Sequence, residues 1–150
     1  MGSLINKRSA QGRTDGVAVA AGYVGETPGG VARAGTGGSA YTIRSTTAAG
    51  SGTPAKVIFQ SVNKGTYLVT ISSIAASSSA AGIGVQGRIG GTQVTSEFGS
   101  YNGVATAFAS GTVCFVAVIT TDSTEIQGYA YMTSGTVSSS SHEMSIVRIA

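Results

Sequence analysis

The chain has 150 residues and a formal net charge of only +3, and these values exclude several classes of protein. Charged residues make up 10% of the chain, against about 25% in typical soluble domains. Hydrophobic residues still account for 41% of the chain and occur in strand-sized clusters, which argues against intrinsic disorder. The length and composition predict one rigid β-rich domain with a buried oligomer interface.

The positive charge is concentrated near the start of the chain. Residues 1–33 carry four cations against two anions, whereas residues 34–150 carry five cations against four anions. A nearly neutral body lacks the basic face that nucleic-acid binding requires, so we expect no nucleic-acid partner. No run reaches the roughly 18 apolar residues of a membrane-spanning helix, so we expect no membrane span.

The first 21 residues differ in character from the rest of the chain. They contain a turn signal at Asp15-Gly16 and only small apolar residues after it, so we interpret residues 1–21 as an N-terminal arm or the end of a shaft. Residues 1–3 have the composition of an expression-tag remnant. We predict that residues 22–150 form one β-domain, which begins with a glycine-rich loop up to Gly38.

From residue 39 onward, apolar and polar residues alternate in short runs separated by turn residues. This two-residue period is typical of β-strands, and no helical apolar stripe of useful length is present. The runs predict about eight strands at the spacing of a β-sandwich or jelly roll. They lie at 41–44, 57–60, 67–72, 83–89, 104–108, 112–120, 126–132 and 144–149, with a weaker strand at 94–98.

The run at residues 112–120, TVCFVAVIT, is the most apolar stretch in the chain. Side chains alternate across a strand, so Val113 and Phe115 would face one way and Cys114 and Val116 the other. Both faces are therefore apolar, and we predict a central strand that is covered on both sides. The partner sheet of a sandwich would cover one face, and another subunit would cover the other.

Histidine and cysteine are each present once, as His142 and Cys114. We predict that Cys114 is a small buried hydrophobe and that His142 is a solvated surface residue in a serine-rich loop. No G-x-S-x-G motif is present to hold a catalytic serine. One histidine and one buried cysteine cannot form a metal site within a subunit; three copies of His142 around a threefold axis would be needed. We therefore expect no metal, no other cofactor and no catalytic residue.

Two carboxylates facing each other across a cleft would favour a different function, glycoside hydrolysis. Glu97 could meet Glu125 or Asp122 in this way, which leaves a small glycan hydrolase as an alternative. Tryptophan is absent and the chain has only six tyrosines and four phenylalanines, a small supply of aromatic platforms for a glycan-cleaving enzyme. We therefore predict a protein that is not an enzyme.

Residues 82–87, GIGVQG, match the G-x-G-x-x-G motif of dinucleotide-binding folds. In those folds the motif follows a strand, opens a helix and precedes an acidic residue by about 20 positions. Here it lies within a strand pattern, and Ala105 and Ala107 occupy the acidic position. We predict that these glycines keep one face of the strand bare, so that another backbone can approach closely.

Four segments carry a resemblance to a known family. They are GYVGE at 22–26, TPAKV at 53–57, GTYLV at 65–69 and MSIVRI at 144–149. Their order and spacing resemble the C-terminal knob domains of tail-fibre and tail-needle proteins of tailed bacteriophages. No long heptad or triple-β shaft precedes residue 22, so we expect the natural chain to extend further at its N-terminus.

The resemblance implies a fold, an assembly and a function. The fold would be an all-β, jelly-roll-like antiparallel β-sandwich that forms a homotrimer similar in shape to tumour-necrosis-factor trimers. The protein would lie at the tip of a tail fibre or tail needle, extracellular on the mature virion. It would attach to a bacterial cell-surface component such as a glycan or lipopolysaccharide, or penetrate the envelope. The family motifs contribute no catalytic residue.

Binding residues follow less directly from the sequence. The Asn102-Gly103 dipeptide predicts a hairpin, so Tyr101 and Asn102 are candidates for receptor contacts at a loop. Lys64 and Arg88 are candidates for an anionic ligand at a subunit boundary. A decoration or assembly module without a receptor remains the main alternative to an attachment protein.

Overall fold

The computed structural model describes residues 41–150, together with residues 22, 24, 27, 28, 31 and 32. The predicted arm at 1–21 and three residues of the 22–26 motif lie outside the described residues. The described part is all-β, with no helix long and apolar enough to span a membrane. Its strands are β1 (Val31–Ala32), β2 (Tyr41–Ser45), β3 (Gly50–Ser51), β4 (Ala55–Val62), β5 (Gly65–Ser77), β6 (Ala81–Ile89), β7 (Thr92–Gln93), β8 (Tyr101–Asn102), β9 (Phe108–Ile119), β10 (Thr124–Met132) and β11 (Val137–Arg148).

The strands form two sheets. The five-stranded sheet has the order β1-β2-β11-β5-β9, and all its pairs are antiparallel. The six-stranded sheet has the order β3-β10-β6-β7, with β4 also paired to β10 and β8 to β6. Its pairs are antiparallel except for β3, which runs parallel to β10. The predicted antiparallel β-sandwich of jelly-roll type is confirmed.

Most long strands are followed by a strand of the opposite sheet, as in a jelly roll. The chain crosses between sheets from β4 to β5, β5 to β6, β9 to β10 and β10 to β11. A tight hairpin within one sheet joins β6 to β7. Its turn is Gly90-Gly91, with φ values of 55° and 90°, a conformation that glycine adopts without steric cost.

The core fills the space between the two sheets. Along β5, Val69 and Ile71 are fully buried while the alternate residue Leu68 is exposed, which is the two-residue period of a half-covered strand. Val69 and Ile71 share one hydrophobic core with the inward side chains of β10, in the opposite sheet, and of β11, in the same sheet. Buried members of this core include Tyr67, Val69, Ile71, Val85, Val113, Ala117, Ile126, Ala130, Met132, Met144 and Ile146.

The predicted central strand is in fact an edge strand. Residues 112–119 of this run belong to β9, which pairs only with β5 among the strands that the structure describes. Val113 faces the core as predicted, but Val116 and Val118 are exposed on the opposite face. Cys114 is exposed as well, so the prediction of a buried cysteine is wrong. The sequence shows that both faces are apolar, but the described part of the chain covers only one of them.

The region from residue 94 to residue 108 is less regular than predicted. No hairpin forms at Asn102-Gly103, because Asn102 pairs with Ala81 of β6. Its side chain stabilises a turn instead: Oδ1 accepts from the Val104 N–H at 3.1 Å, and Nδ2 donates to the Phe108 carbonyl at 3.1 Å. The predicted strand at 104–108 is a turn, and β9 runs through Gly111 without a break.

The glycines of residues 82–87 are packed under aromatic rings more than under backbone. A Cβ on Gly84 would collide with the ring of Tyr131, and one on Gly87 would collide with the ring of Phe115. The prediction that another backbone approaches these glycines is therefore wrong at Gly84 and Gly87, where aromatic side chains fill the space. At Gly82, a backbone oxygen, that of Ser100, is the nearest atom, at 3.5 Å from the position of such a Cβ.

Candidate functional site

The outer face of the five-stranded sheet carries an apolar patch at the end where β5 begins. Leu68 lies opposite Val116 on β9 and opposite Val147 on β11, and Val118 lies further along β9 on the same face. Leu68, Val116 and Val118 are 42%, 55% and 64% exposed. We call Leu68, Val116, Val118 and Val147 the apolar patch. Contiguous exposed apolar side chains of this kind are typical of protein–protein contacts.

Small polar residues border the apolar patch. The Thr70 hydroxyl donates to Cys114 Sγ at 3.6 Å, and the Ser72 and Thr112 hydroxyls lie 3.0 Å apart. No charged residue lies among these four, so the surface stays neutral along both strands. Around the edge of β9, a groove of about 280 Å³ is lined by Phe98 and other residues of the 94–98 segment. The low-charge surface therefore continues from the patch around the sheet edge.

The outer face of the six-stranded sheet has a different chemistry, with a network of planar polar and aromatic side chains. Glu97 accepts hydrogen bonds from Gln86 Nε2 and from the Tyr131 hydroxyl, the latter at 2.7 Å. Gln86 Oε1 in turn accepts from Arg88 Nε at 3.2 Å and from its Nη2 at 2.9 Å. The Arg88 guanidinium lies 4.0 Å from the centroid of the Tyr129 ring. We call these five residues the tyrosine–arginine network.

The ring of Tyr131 is fixed by two contacts. Its edge lies over Gly84, where a Cβ would collide with it, and its hydroxyl is held by Glu97. The hydrogen bond to the Glu97 carboxylate is the main reason that the pKa of Tyr131 is raised above its ordinary value, with desolvation adding to it. Tyr131 is therefore a preorganised aromatic side chain on the sheet surface.

A second polar group extends the network along β10. Gln127 Nε2 donates to Glu125 Oε2 at 2.6 Å, and Lys56 Nζ lies 3.2 Å from the same oxygen. These two donors, Gln127 first, hold the pKa of Glu125 below its ordinary value. Lys56 also lies 4.6 Å from the ring centroid of Phe59, which is 51% exposed beside Gln127.

The three carboxylates considered for glycoside hydrolysis have different partners, and Asp122 accepts from the Lys64 backbone N–H. Glu97 is bound to Gln86 and Tyr131, whereas Glu125 is bound to Gln127 and Lys56. A catalytic acid needs a raised pKa, and that of Glu125 is lowered. Within the described part of the chain, no three His, Cys, Asp or Glu side chains are grouped to hold a metal ion. This geometry gives no support to the hydrolase alternative.

The four predicted binding residues do not form one site. Lys64 lies in the connection between β4 and β5, where its backbone N–H donates to Asp122 Oδ1 at 2.8 Å. Tyr101, 72% exposed, and Asn102 pair with the first two residues of β6, at the opposite end of the sandwich. Only Arg88 lies within an extended group of polar and aromatic side chains.

Sequence reasoning missed the partners of Arg88. The alternation of Gln127, Tyr129 and Tyr131 with small or apolar residues does indicate one polar-aromatic strand face. The same holds for Gln86 and Arg88 on β6. What the alternation could not show is that β6 and β10 are neighbours with Tyr129 opposite Gln86.

His142 is buried, so the prediction of a solvated surface histidine is wrong. The predicted serine loop at 138–141 belongs to β11, and His142 points into the sandwich from that strand with no exposed surface. Its Nε2 lies 2.9 Å from the Thr47 carbonyl and its Nδ1 lies 2.9 Å from the Ser73 hydroxyl. The carbonyl can only accept, so Nε2 carries the proton and Nδ1 accepts from Ser73 in the neutral ring.

Acidification is expected to destabilise the folded protein through His142. Burial lowers its folded-state pKa below the ordinary value of 6.5. The unfolded chain therefore takes up the proton first, and stability falls as the pH drops from above 6.5 toward the lowered pKa. Urea unfolding of the wild type and of His142→Gln, at one protein concentration and several pH values, measures this effect. The wild type should lose more stability than the variant across that window, and parallel losses would contradict the prediction.

Comparison with known proteins identifies the fold and nothing more specific. No protein-family model and no curated protein sequence matches the chain. The globular domain of the zebrafish complement 1qA protein matches with a TM-score of 0.50 and 9% identity, over 73% of this chain and 95% of that one. A structure of infectious bursal disease virus, Gx strain, matches with a TM-score of 0.45 and 15% identity, over 87% of this chain and 39% of that one. The chain thus shares the jelly-roll fold of the complement domain.

Proposed function

We propose that this protein is the homotrimeric tip of a bacteriophage tail fibre or tail needle, and that it attaches the virion to the bacterial cell surface. The apolar patch is the observation that carries the assembly. Leu68, Val116 and Val118 lie side by side on the outer face of the five-stranded sheet and are about half exposed. The resemblance of the four sequence segments to phage knob domains supports the place on the virion.

In the proposed trimer, the apolar patch of each subunit is buried against a neighbouring subunit. The patch and its polar border carry no charge, so another subunit packs against them without burying an unpaired ion of this surface. In the proposed trimer each patch meets a different surface of the next subunit, and three such contacts close into a ring. The low charge of the whole chain is consistent with a large buried interface.

A stable trimer suits an extracellular tip, since unfolding and dissociation then become one event. The described surface has no continuous row of basic side chains that would bind nucleic acid. On the outer face of the six-stranded sheet, Lys56 forms an ion pair with Glu125 and Arg88 donates to Gln86. Attachment to a cell-surface component, such as a glycan or lipopolysaccharide, is the function that remains for such a surface on a virion tip.

Two measurements test the proposed function. Light scattering on a size-exclusion column should give the mass of three chains, and an unboiled sample should keep a detergent-resistant band on a gel. Fluorescently labelled protein should bind cells of susceptible bacteria in a saturable way that the unlabelled protein competes away. A trimer that binds no cells would favour a decoration or assembly module, and a monomer would contradict the proposed assembly.

A further inference from the structure

The tyrosine–arginine network extends across neighbouring strands on the outer face of the six-stranded sheet. Arg88 and Gln86 come from β6, Tyr129 and Tyr131 come from β10, and Glu97 comes from the segment after β7. Gln127 lies opposite Arg88 on one side and opposite Phe59 of β4 on the other. The face therefore presents three aromatic rings together with the Arg88 guanidinium and the carboxylates of Glu97 and Glu125, while the amides of Gln86 and Gln127 are buried beneath them.

These groups are held in place before any ligand arrives. Tyr131 is fixed over Gly84 and by Glu97, and Arg88 is fixed by Gln86 and by the ring of Tyr129. The Gln86 side chain at the centre is 2% exposed. A fixed aromatic or planar polar side chain loses little conformational entropy when it binds a ligand.

The charges on this face are balanced. Glu97 and Glu125 are matched by Arg88 and Lys56, and Lys56 pairs directly with Glu125 at 3.2 Å. An anionic ligand would meet the two carboxylates, and a cationic ligand would meet the two basic groups. A neutral ligand that has both apolar C–H faces and many hydroxyl groups avoids both conflicts. An oligosaccharide has this combination.

We propose that the outer face of the six-stranded sheet binds a neutral oligosaccharide. A sugar ring stacks on Tyr131, and its hydroxyl groups exchange hydrogen bonds with Glu97 and Arg88. This proposal rests on the proposed attachment function, whose receptor it assigns to the glycans of the cell surface. It also replaces the exposed Tyr101 by Tyr131 as the main aromatic contact.

The test measures binding of the purified trimer to a microarray of neutral and anionic bacterial oligosaccharides, followed by calorimetry with the best neutral oligosaccharide. The Tyr131→Ala variant should bind about tenfold or more weakly, because it loses the stacking ring. Tyr131→Phe keeps the ring over Gly84 and should stay within about threefold of the wild type. Tyr101→Ala, which removes an exposed tyrosine outside this face, should leave binding unchanged.

The controls separate a lost site from a lost fold. Each variant must keep the elution volume and the unfolding midpoint of the wild type. Arg88→Ala supplies an independent variant on β6, and it should also weaken binding to the neutral oligosaccharide. Unchanged binding in both Tyr131→Ala and Arg88→Ala would overturn the proposed site, as would a preference for anionic oligosaccharides.

Cell binding distinguishes failure of the site from failure of the proposed function. If the trimer binds cells but Tyr131→Ala binds them equally well, attachment stands and the sheet-face site is wrong. If cell binding resists periodate oxidation of the glycans and is lost after protease treatment of the cells, the receptor is a protein and the site is also wrong. Oligosaccharide binding through Tyr131 without any cell binding would support the site and contradict attachment.

Discussion

Val118→Asp is expected to convert the trimer into monomers. Val118 is 64% exposed on the outer face of β9, so in a single chain the carboxylate would remain in water and the strand would keep its pairing with β5. In the proposed trimer the same carboxylate would be buried against another subunit without a partner. Burying an unpaired charge costs at least several kcal/mol, enough to dissociate most assemblies at micromolar concentration.

Val104 provides a matched control for this experiment. It is also a valine, it is 66% exposed, and it lies in the turn before β9, outside the apolar patch. Val104→Asp should leave the mass of three chains unchanged, while Val118→Asp should give the mass of one chain with a β-rich circular dichroism spectrum. A Val118→Asp protein that remains trimeric and folded would show that the apolar patch lies outside the subunit interface.

Gly128→Ala is expected to destabilise the fold by overpacking the core. A Cβ at residue 128 would lie 2.6 Å from Ile58 Cγ2 and 2.9 Å from Ile71 Cγ2. These atoms come from β4 of the same sheet and from β5 of the opposite sheet, so the added methyl group would press on the core from the middle of β10. Overpacking of this kind typically costs about 1–3 kcal/mol.

A second substitution tests whether that contact causes the loss. Ile58→Ala alone should cost about 2–5 kcal/mol, because it leaves a cavity in a buried site. In the double variant the methyl group added at position 128 would occupy part of that cavity, so the total loss of unfolding free energy should be smaller than the sum of the single losses. Additive losses, measured by urea unfolding at one protein concentration, would show that Gly128 is required for another reason.

The residues that share one face of each long strand could be predicted from the sequence. Alternation placed Val113 and Ala117 on one face of β9, and Ile126 and Met132 on one face of β10, and in the structure these are the core faces. The turn at Gly90-Gly91 was equally predictable. These features depend on the local two-residue period and on the backbone freedom of glycine, which are properties of the sequence itself.

The proposed binding face could be predicted only in part. Arg88 was a candidate from the sequence, but Tyr131 and Glu97 are 34 residues apart and meet only through their tertiary contact. The polar pattern of β10 resembles any solvated strand face until β6 is placed beside it. Strand partners depend on contacts between distant parts of the chain, and no local pattern encodes them.

The sequence by itself determined an all-β sandwich of low charge, with strand faces assigned by alternation and with one strand apolar on both sides. Tertiary structure decided that this strand, β9, is an edge strand among the described strands, and that no described element covers its second apolar face. It also decided that His142 is buried between Thr47 and Ser73. The physical reason is the same in each case: hydrophobicity and local geometry fix which side of a strand is buried, whereas the order of strands in a sheet depends on which distant segments pair.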